Sequence, residues 1–385
     1  MVAQSNNLLN KGGNITLLLY HLVYFLFLIN TNLVRPQHIF LFNVVILLVF
    51  IKPFLNNFRF IKPFLLISIG SFICSLIKND EVDTFLNIAY FFSASIILML
   101  YCTIRVDNRI HIVIMIIYLL YVLMKLISGI DPNLILDGKS QNMVSFYFLL
   151  YVVLFYLFNK SNSFLSKTLP SLILVILSLL MFGRSGIIIS ALVFLGSFIF
   201  LFKELNLSKK IVVSFIFLGI IGGFLIYFGA FLEEGLSRFN KEGTSLTGRE
   251  EIWSTYLTLV EENEIFMFFG VPLNESYVFR YVDKNLHNSF LAMHSYLGIL
   301  SLIYIGFFIY IIFFVKKSTF YRFLLLVLLI RSTTDHVFFL KFDDYILWLI
   351  IFLVLYGNSP EYRNNSNVSS KKQLNNKFSK KWVTN

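Results

Sequence analysis

Charge is scarce in this chain. Asp, Glu, Lys and Arg make up 14% of its 385 residues against 57% hydrophobic ones. That leaves too little polar surface to wrap a water-soluble fold and points to a polytopic membrane protein. Cysteine is nearly absent: Cys74 and Cys102 both fall in apolar runs, where a lone thiol acts as a small hydrophobe rather than a bridge or a ligand. A cleavable signal is not expected either. Met1 to Asn14 is polar, and the apolar run from Ile15 to Ile29 has no small-residue cleavage pattern after it, so that run reads as the first membrane helix. No internal repeat or inverted half is visible, which weighs against a transporter.

What is there is hydrophobic length. Apolar runs separated by short polar breaks predict helices near positions 15–33, 38–51, 61–77, 84–104, 110–130, 141–158, 168–182, 186–202, 211–232, 287–315, 320–337 and 344–357. This is an all-α polytopic fold of about twelve spans in one membrane domain, 1–357. The short pair around Gly183 also reads as a broken or re-entrant hairpin.

The breaks alternate in charge. Lys52, Arg59 and Lys62, then Arg105 and Arg109, Lys160 and Lys167, Lys203, Lys209 and Lys210, and Lys316, Lys317 and Arg322 fall on one side. The opposite breaks are acidic or poor in positive charge, with Asp80, Glu81 and Asp83, then Asp131 and Asp137, then Asp335, Asp343 and Asp344. The positive-inside rule therefore places both termini in the cytoplasm and a polar island at 233–286 outside. The net charge of +11 is not a nucleic-acid signal. Six basic residues lie in the tail, 358–385, whose Asn, Ser and Lys content predicts a disordered cytoplasmic segment that signals topology and lipid contact.

Candidate chemistry gathers near the outer face. Arg184 sits in Gly183-Arg184-Ser185-Gly186 between short apolar flanks, where a guanidinium costs on the order of 2.5 to 3.5 kcal/mol and faces a polar cavity or a partner. The two glycines would let a ligand approach the backbone; the bland alternative is an arginine snorkelling from a tight turn. Arg249 lies in Gly248-Arg249-Glu250-Glu251-Ile252-Trp253. Thr247 is a fair N-cap there, the glutamates suit a first helical turn, and Trp253 suits an interfacial anchor. Alone, Arg249 reads as a solvated loop arginine.

His287 opens His287-Asn288-Ser289-Phe290-Leu291, where an imidazole can take a proton near neutral pH. An interfacial cap is its bland reading, and His294 is a deeper rival seven residues later on roughly the same helical face. Arg331 and Asp335 are spaced i, i+4 and favour a structural ion pair. The adjacent Asp343 and Asp344 are weak metal candidates, and nothing else has metal-ligand spacing.

A Gly-Arg-Ser-Gly turn, an outer loop with Gly-Arg-x-x-x-Trp and a His-Asn-Ser-Phe-Leu helix start, in that order on this frame, resemble the O-antigen ligase and polymerase family. The motifs run from Leu169 to Leu300. The resemblance implies a glycosyltransferase-C-like membrane fold and a metal-independent, cofactor-free, inverting glycosyltransferase. It would act on undecaprenyl-diphosphate-linked sugars at the outer face of the bacterial cytoplasmic membrane. It also implies that Arg184 and Arg249 match the family's arginines and His287 its catalytic base.

Arg238, Trp253, Asn288 and Arg331 are the candidate substrate-binding residues. Glu250, Glu251 and Glu275 are alternative bases, and Trp253, Tyr256, Tyr277 and Tyr281 are candidate sugar-stacking rings. A repeat-unit polymerase of the Wzy type, with lipid-linked oligosaccharide as both donor and acceptor, is the leading expectation. A chain-length regulator is a candidate partner. A ligase and a lipid-linked oligosaccharide flippase are the alternatives.

Overall fold

The computed structural model describes residues 2–55, 62–78, 81–159, 163–208, 210–211, 214–215, 219, 222, 249–282, 284–316 and 318–356. Regular structure among them is entirely helical. The first half runs α1 (Val2–Ile29), α2 (Pro36–Val49), α3 (Ile51–Leu55), α4 (Lys62–Lys78), α5 (Glu81–Thr103), α6 (Arg109–Ile127), α7 (Gln141–Phe158), α8 (Phe164–Leu180) and α9 (Arg184–Glu204). The second half holds α10 (Arg249–Glu262), α11 (Glu264–Phe269), α12 (Tyr277–Tyr281), α13 (Ser289–Leu297), α14 (Leu300–Phe313), α15 (Thr319–Ser332) and α16 (Asp344–Tyr356).

Among the described residues four helices are long and apolar enough to cross a membrane: Asn7–Ile29 within α1, Leu86–Thr103 within α5, α6 and α7. Five more described helices are apolar but shorter. The expected ninth span, 211–232, falls largely outside the described residues. So do Arg238, Thr247 and the tail 358–385.

Helices sort by how they are surrounded. Every residue of α7 from Val144 to Leu157 is buried, as is most of α16, and the run from Phe91 to Tyr101 lines the same core. The outer helices show the reverse pattern. Leu41 and Val49 of α2, Leu66 of α4 and Ile303 and Phe313 of α14 are each more than 60% exposed. Such a display of bare apolar side chains is costly in water and suits hydrocarbon. Around α7 the chain packs α6 on α7, α7 on α8, α8 on α9, α9 on α15 and α15 on α16.

Three local features depart from the hydropathy reading. Helix α1 begins well before Ile15 because its polar first half has partners. Asn10 and Asn14 accept from the backbone N–H groups of Arg105 and Asp107 at 2.8 and 2.9 Å, and Asn14 also donates to the Arg105 carbonyl at 2.9 Å. The island holds more than the helix expected at Arg249, since α11 and α12 follow α10 in it. The span expected at 287–315 breaks into α13 and α14 at Gly298, whose φ is 54°. A Cβ there would overlap the carbonyl of Phe268 at the end of α11, and one on Gly270 would overlap the His294 and Ser295 carbonyls. The two glycines let α11 and α13 cross backbone to backbone.

Candidate functional site

The site is built where α10, α13 and the loop after α15 meet. Helix α10 starts at Arg249, with Glu250 and Glu251 in its first turn as the helix dipole favours. Its Trp253 donates from Nε1 to the Leu286 carbonyl at 2.9 Å, fixing the residue just before His287. Asn288 caps α13 by accepting from the N–H groups of Phe290 and Leu291. His287, between these anchors, has a φ of 49°. A left-handed backbone at a non-glycine residue costs about 1–2 kcal/mol, and such strain collects where side-chain direction matters. Trp253 and Asn288 are thus supports of His287.

Asp335 is the hub. Its Oδ1 lies 3.4 Å from Nη2 of Arg249 and 3.7 Å from Nδ1 of His287, while Oδ2 accepts from Nη1 of Arg331. The His287 contact is in ion-pair range and longer than a hydrogen bond. Arg249 also donates to the Thr334 carbonyl at 2.8 Å, and Arg331 donates to Thr334 Oγ1 at 2.7 Å. Ser289 ties the loop down: its hydroxyl donates to the Asp335 carbonyl at 2.8 Å and accepts from the Val337 and Phe338 N–H groups.

Exposure rises across this cluster. Side-chain accessibility is 1% for Arg331, 11% for Asp335, 22% for Arg249 and 30% for His287, so Arg249 and His287 form its open edge. Burial pushes the Asp335 carboxyl up, but the His287 imidazole and then the Arg331 and Arg249 guanidinium groups outweigh it and hold the group below the usual carboxylate range. Two guanidinium groups against one carboxylate leave the cluster cationic.

Arg184 is the first residue of α9. The glycines flanking it serve helix packing rather than ligand approach: a Cβ on Gly183 would overlap Asn142 Oδ1, and one on Gly186 would overlap Ser145 Oγ. Both contacts are with α7, and the Asn142 carbonyl in turn accepts from Arg331 Nη2 at 3.5 Å. Gly186 and Ser190 share a crevice with Arg331. The turn carrying Arg184 is therefore seated against the α7 segment that also holds Arg331.

Other expected roles move. Arg331 and Asp335 are not a separate pair, because they join Arg249 and His287. His294 is occupied on both nitrogens, with Tyr256 Oη at 2.7 Å and the Met267 carbonyl at 3.1 Å. That bond leaves Tyr256 buried and unable to stack on a sugar, whereas Tyr277 and Tyr281 are 73% and 78% exposed. Asp343 accepts from Tyr24 and Asp344 from the Phe339 and Lys341 N–H groups. Each carboxylate has its own structural partner, and among the described residues no group of three His, Cys, Asp or Glu could hold a metal.

Asp335 is the functional candidate that sequence reasoning did not single out. Its i, i+4 spacing from Arg331 was visible, but not its contact with residues 48 and 86 positions earlier. No protein-family model, curated protein or solved structure matches the chain, so the functional reading rests on these residues and their placement.

Proposed function

We propose that the protein is a membrane glycosyltransferase that joins polyprenyl-diphosphate-linked oligosaccharide units into a surface polysaccharide. The observation that carries this reading is the convergence of Arg249 and His287 on Asp335 beside the buried Arg331. Arginines answer the charge of a diphosphate, and a partly exposed imidazole answers the need for a base.

In this reading the acceptor sugar hydroxyl attacks the anomeric carbon of the donor. The new C–O bond forms as the bond from that carbon to the phosphate oxygen breaks, and the electron pair leaves on the lipid diphosphate. Arg249, assisted by Arg184, stabilises that charge with forked hydrogen bonds. The hydroxyl proton passes to Nε2 of His287, whose Nδ1 faces Asp335. Attack opposite the leaving group inverts the anomeric centre. Arg331 is already committed to Asp335 and Thr334, so its part is to fix the carboxylate rather than to grip substrate. Arg238 lies outside the described residues.

The loop bearing Asp335 also packs Phe339 and Leu340 beside Met293, Tyr296, Phe308 and Trp348. The working location is a bacterial cytoplasmic membrane with the site on its outer face.

The test is incubation of the purified protein with an undecaprenyl-diphosphate-linked repeat unit, followed by size analysis. A ladder of products is expected from the wild type and its loss by about 100-fold or more from His287→Ala. Transfer only after a different acceptor is supplied would replace polymerase by ligase. Transbilayer movement of the lipid with no bond made would replace both by flippase.

A further inference from the structure

A second polar assembly lies inside the helix bundle, away from the candidate active site. His21 in α1, Tyr101 in α5 and His111 in α6 are fully buried. His21 Nε2 is 2.7 Å from the Tyr101 hydroxyl, that hydroxyl is 3.0 Å from His111 Nε2, and His111 Nδ1 is 3.1 Å from Asn108 Oδ1. Imidazoles within membrane helices are costly and mark proton or ion pathways more often than packing.

The hydrogen positions follow from the partners. Asn108 Oδ1 can only accept, so His111 carries its proton on Nδ1 and its Nε2 is bare. Tyr101 must then donate to His111 and accept from His21, which carries its proton on Nε2 and leaves Nδ1 bare. All three bonds from His21 to Asn108 point the same way, toward Asn108. That end reaches the surface, where Asn108 is half-buried between the exposed Asp107 and Arg109.

The other end approaches the loop of the candidate site. Tyr24, one turn beyond His21, donates to Asp343 at 2.7 Å, and Asp343 ends the loop that carries Asp335. Between the two bonded stretches stand His21 Nδ1, the Tyr20 hydroxyl and the Tyr151 hydroxyl, buried polar atoms with no protein partner. The rings of Tyr20 and Tyr151 lie 5.4 and 5.6 Å from the His21 ring. Two hydroxyl donors and one bare acceptor at a break in a polar row form a setting that water bridges.

The row lies against the central part of α1. That helix runs from Asn14, which is bonded to Arg105 and Asp107, to Leu28, whose carbonyl accepts from the Asp137 N–H. At about 1.5 Å per helical residue that is roughly 21 Å, with His21 near its middle.

We propose that this row is a proton path through the membrane domain, running from the Asp343 loop to the Asn108 face. A proton arriving on His21 Nδ1 releases the one on Nε2 to the Tyr101 oxygen. Tyr101 passes its own to His111 Nε2, and His111 releases its Nδ1 proton at Asn108. Atoms balance, one proton entering and one leaving, and the row resets by flipping its tautomers. The inference is independent of the glycosyl-transfer reading.

The experiment reconstitutes the full chain into phosphatidylethanolamine and phosphatidylglycerol vesicles enclosing a pH-sensitive dye, with a potassium diffusion potential set by valinomycin. Potential-driven proton uptake should run several-fold faster with the wild type than with Tyr101→Phe, which keeps the ring and its stacking on Phe158 and Tyr345 and removes only the hydroxyl. His21→Gln serves if Tyr101→Phe does not elute as a single species. Wild-type vesicles no faster than protein-free ones, or a variant as fast as the wild type, would overturn the proposal.

Discussion

Asp335 concentrates several jobs in one side chain, and the consequences of changing it are specific. Removing the carboxylate outright would strand the buried Arg331, and an unpaired buried charge costs on the order of 3–5 kcal/mol, so Asp335→Ala should express poorly. Asp335→Asn keeps an acceptor for Arg331 and loses the charge facing His287. We expect it to fold and to lower turnover about tenfold or more, because Nδ1 of His287 then faces a neutral amide instead of a carboxylate. Turnover equal to that of the wild type would make Asp335 structural only.

The same group bears on acid stability. Its folded pKa is depressed, so the stability it contributes is complete above its unfolded value near 4 and is lost as pH falls through the lower folded value. Thermal melting of Asp335→Asn should therefore fall less than that of the wild type below about pH 4. At Arg249, a lysine cannot span both the Thr334 carbonyl and Asp335. Arg249→Lys should accordingly lose most product, and near-normal product would return Arg249 to the status of a loop residue.

At the scale of elements, the fold hangs on close helix approaches made by small residues. Gly186→Leu would force α9 away from Ser145 of α7 and so disturb the crevice it shares with Arg331. A drop in Tm together with lost activity is expected, and an unchanged Tm would show that α7 and α9 are less tightly joined than the structure has them.

The elements also show what a single chain of letters discloses. Buried spans such as α7 and α16 were legible as apolar runs, and the first-turn glutamates of α10 as local chemistry, whereas the cap expected at His287 falls to Asn288. The break at Gly298 was not legible, because its cause is the carbonyl of Phe268 thirty positions away. The early start of α1 was hidden for a similar reason, since Asn10 and Asn14 look like a polar leader until Arg105 and Asp107 come to meet them. At the site, Arg249 and His287 could be picked out by type and company. Their shared dependence on Asp335 is a fact of tertiary contact, and the i, i+4 spacing that favoured a local Arg331–Asp335 pair concealed it.

For the whole molecule, the arrangement is a bundle with an apolar rim, a core of buried helices and two polar assemblies that differ in kind. The cluster around Asp335 is charged and opens at Arg249 and His287, as a place for chemistry on an anionic substrate should. The row through His21 is neutral, buried and aligned. The central claim concerns the first, and single-turnover release of undecaprenyl diphosphate from a lipid-linked repeat unit tests it most directly. The account predicts release by the wild-type protein coupled to sugar transfer, with release slowed by about 100-fold or more in His287→Ala. Release by that variant at the wild-type rate would contradict it.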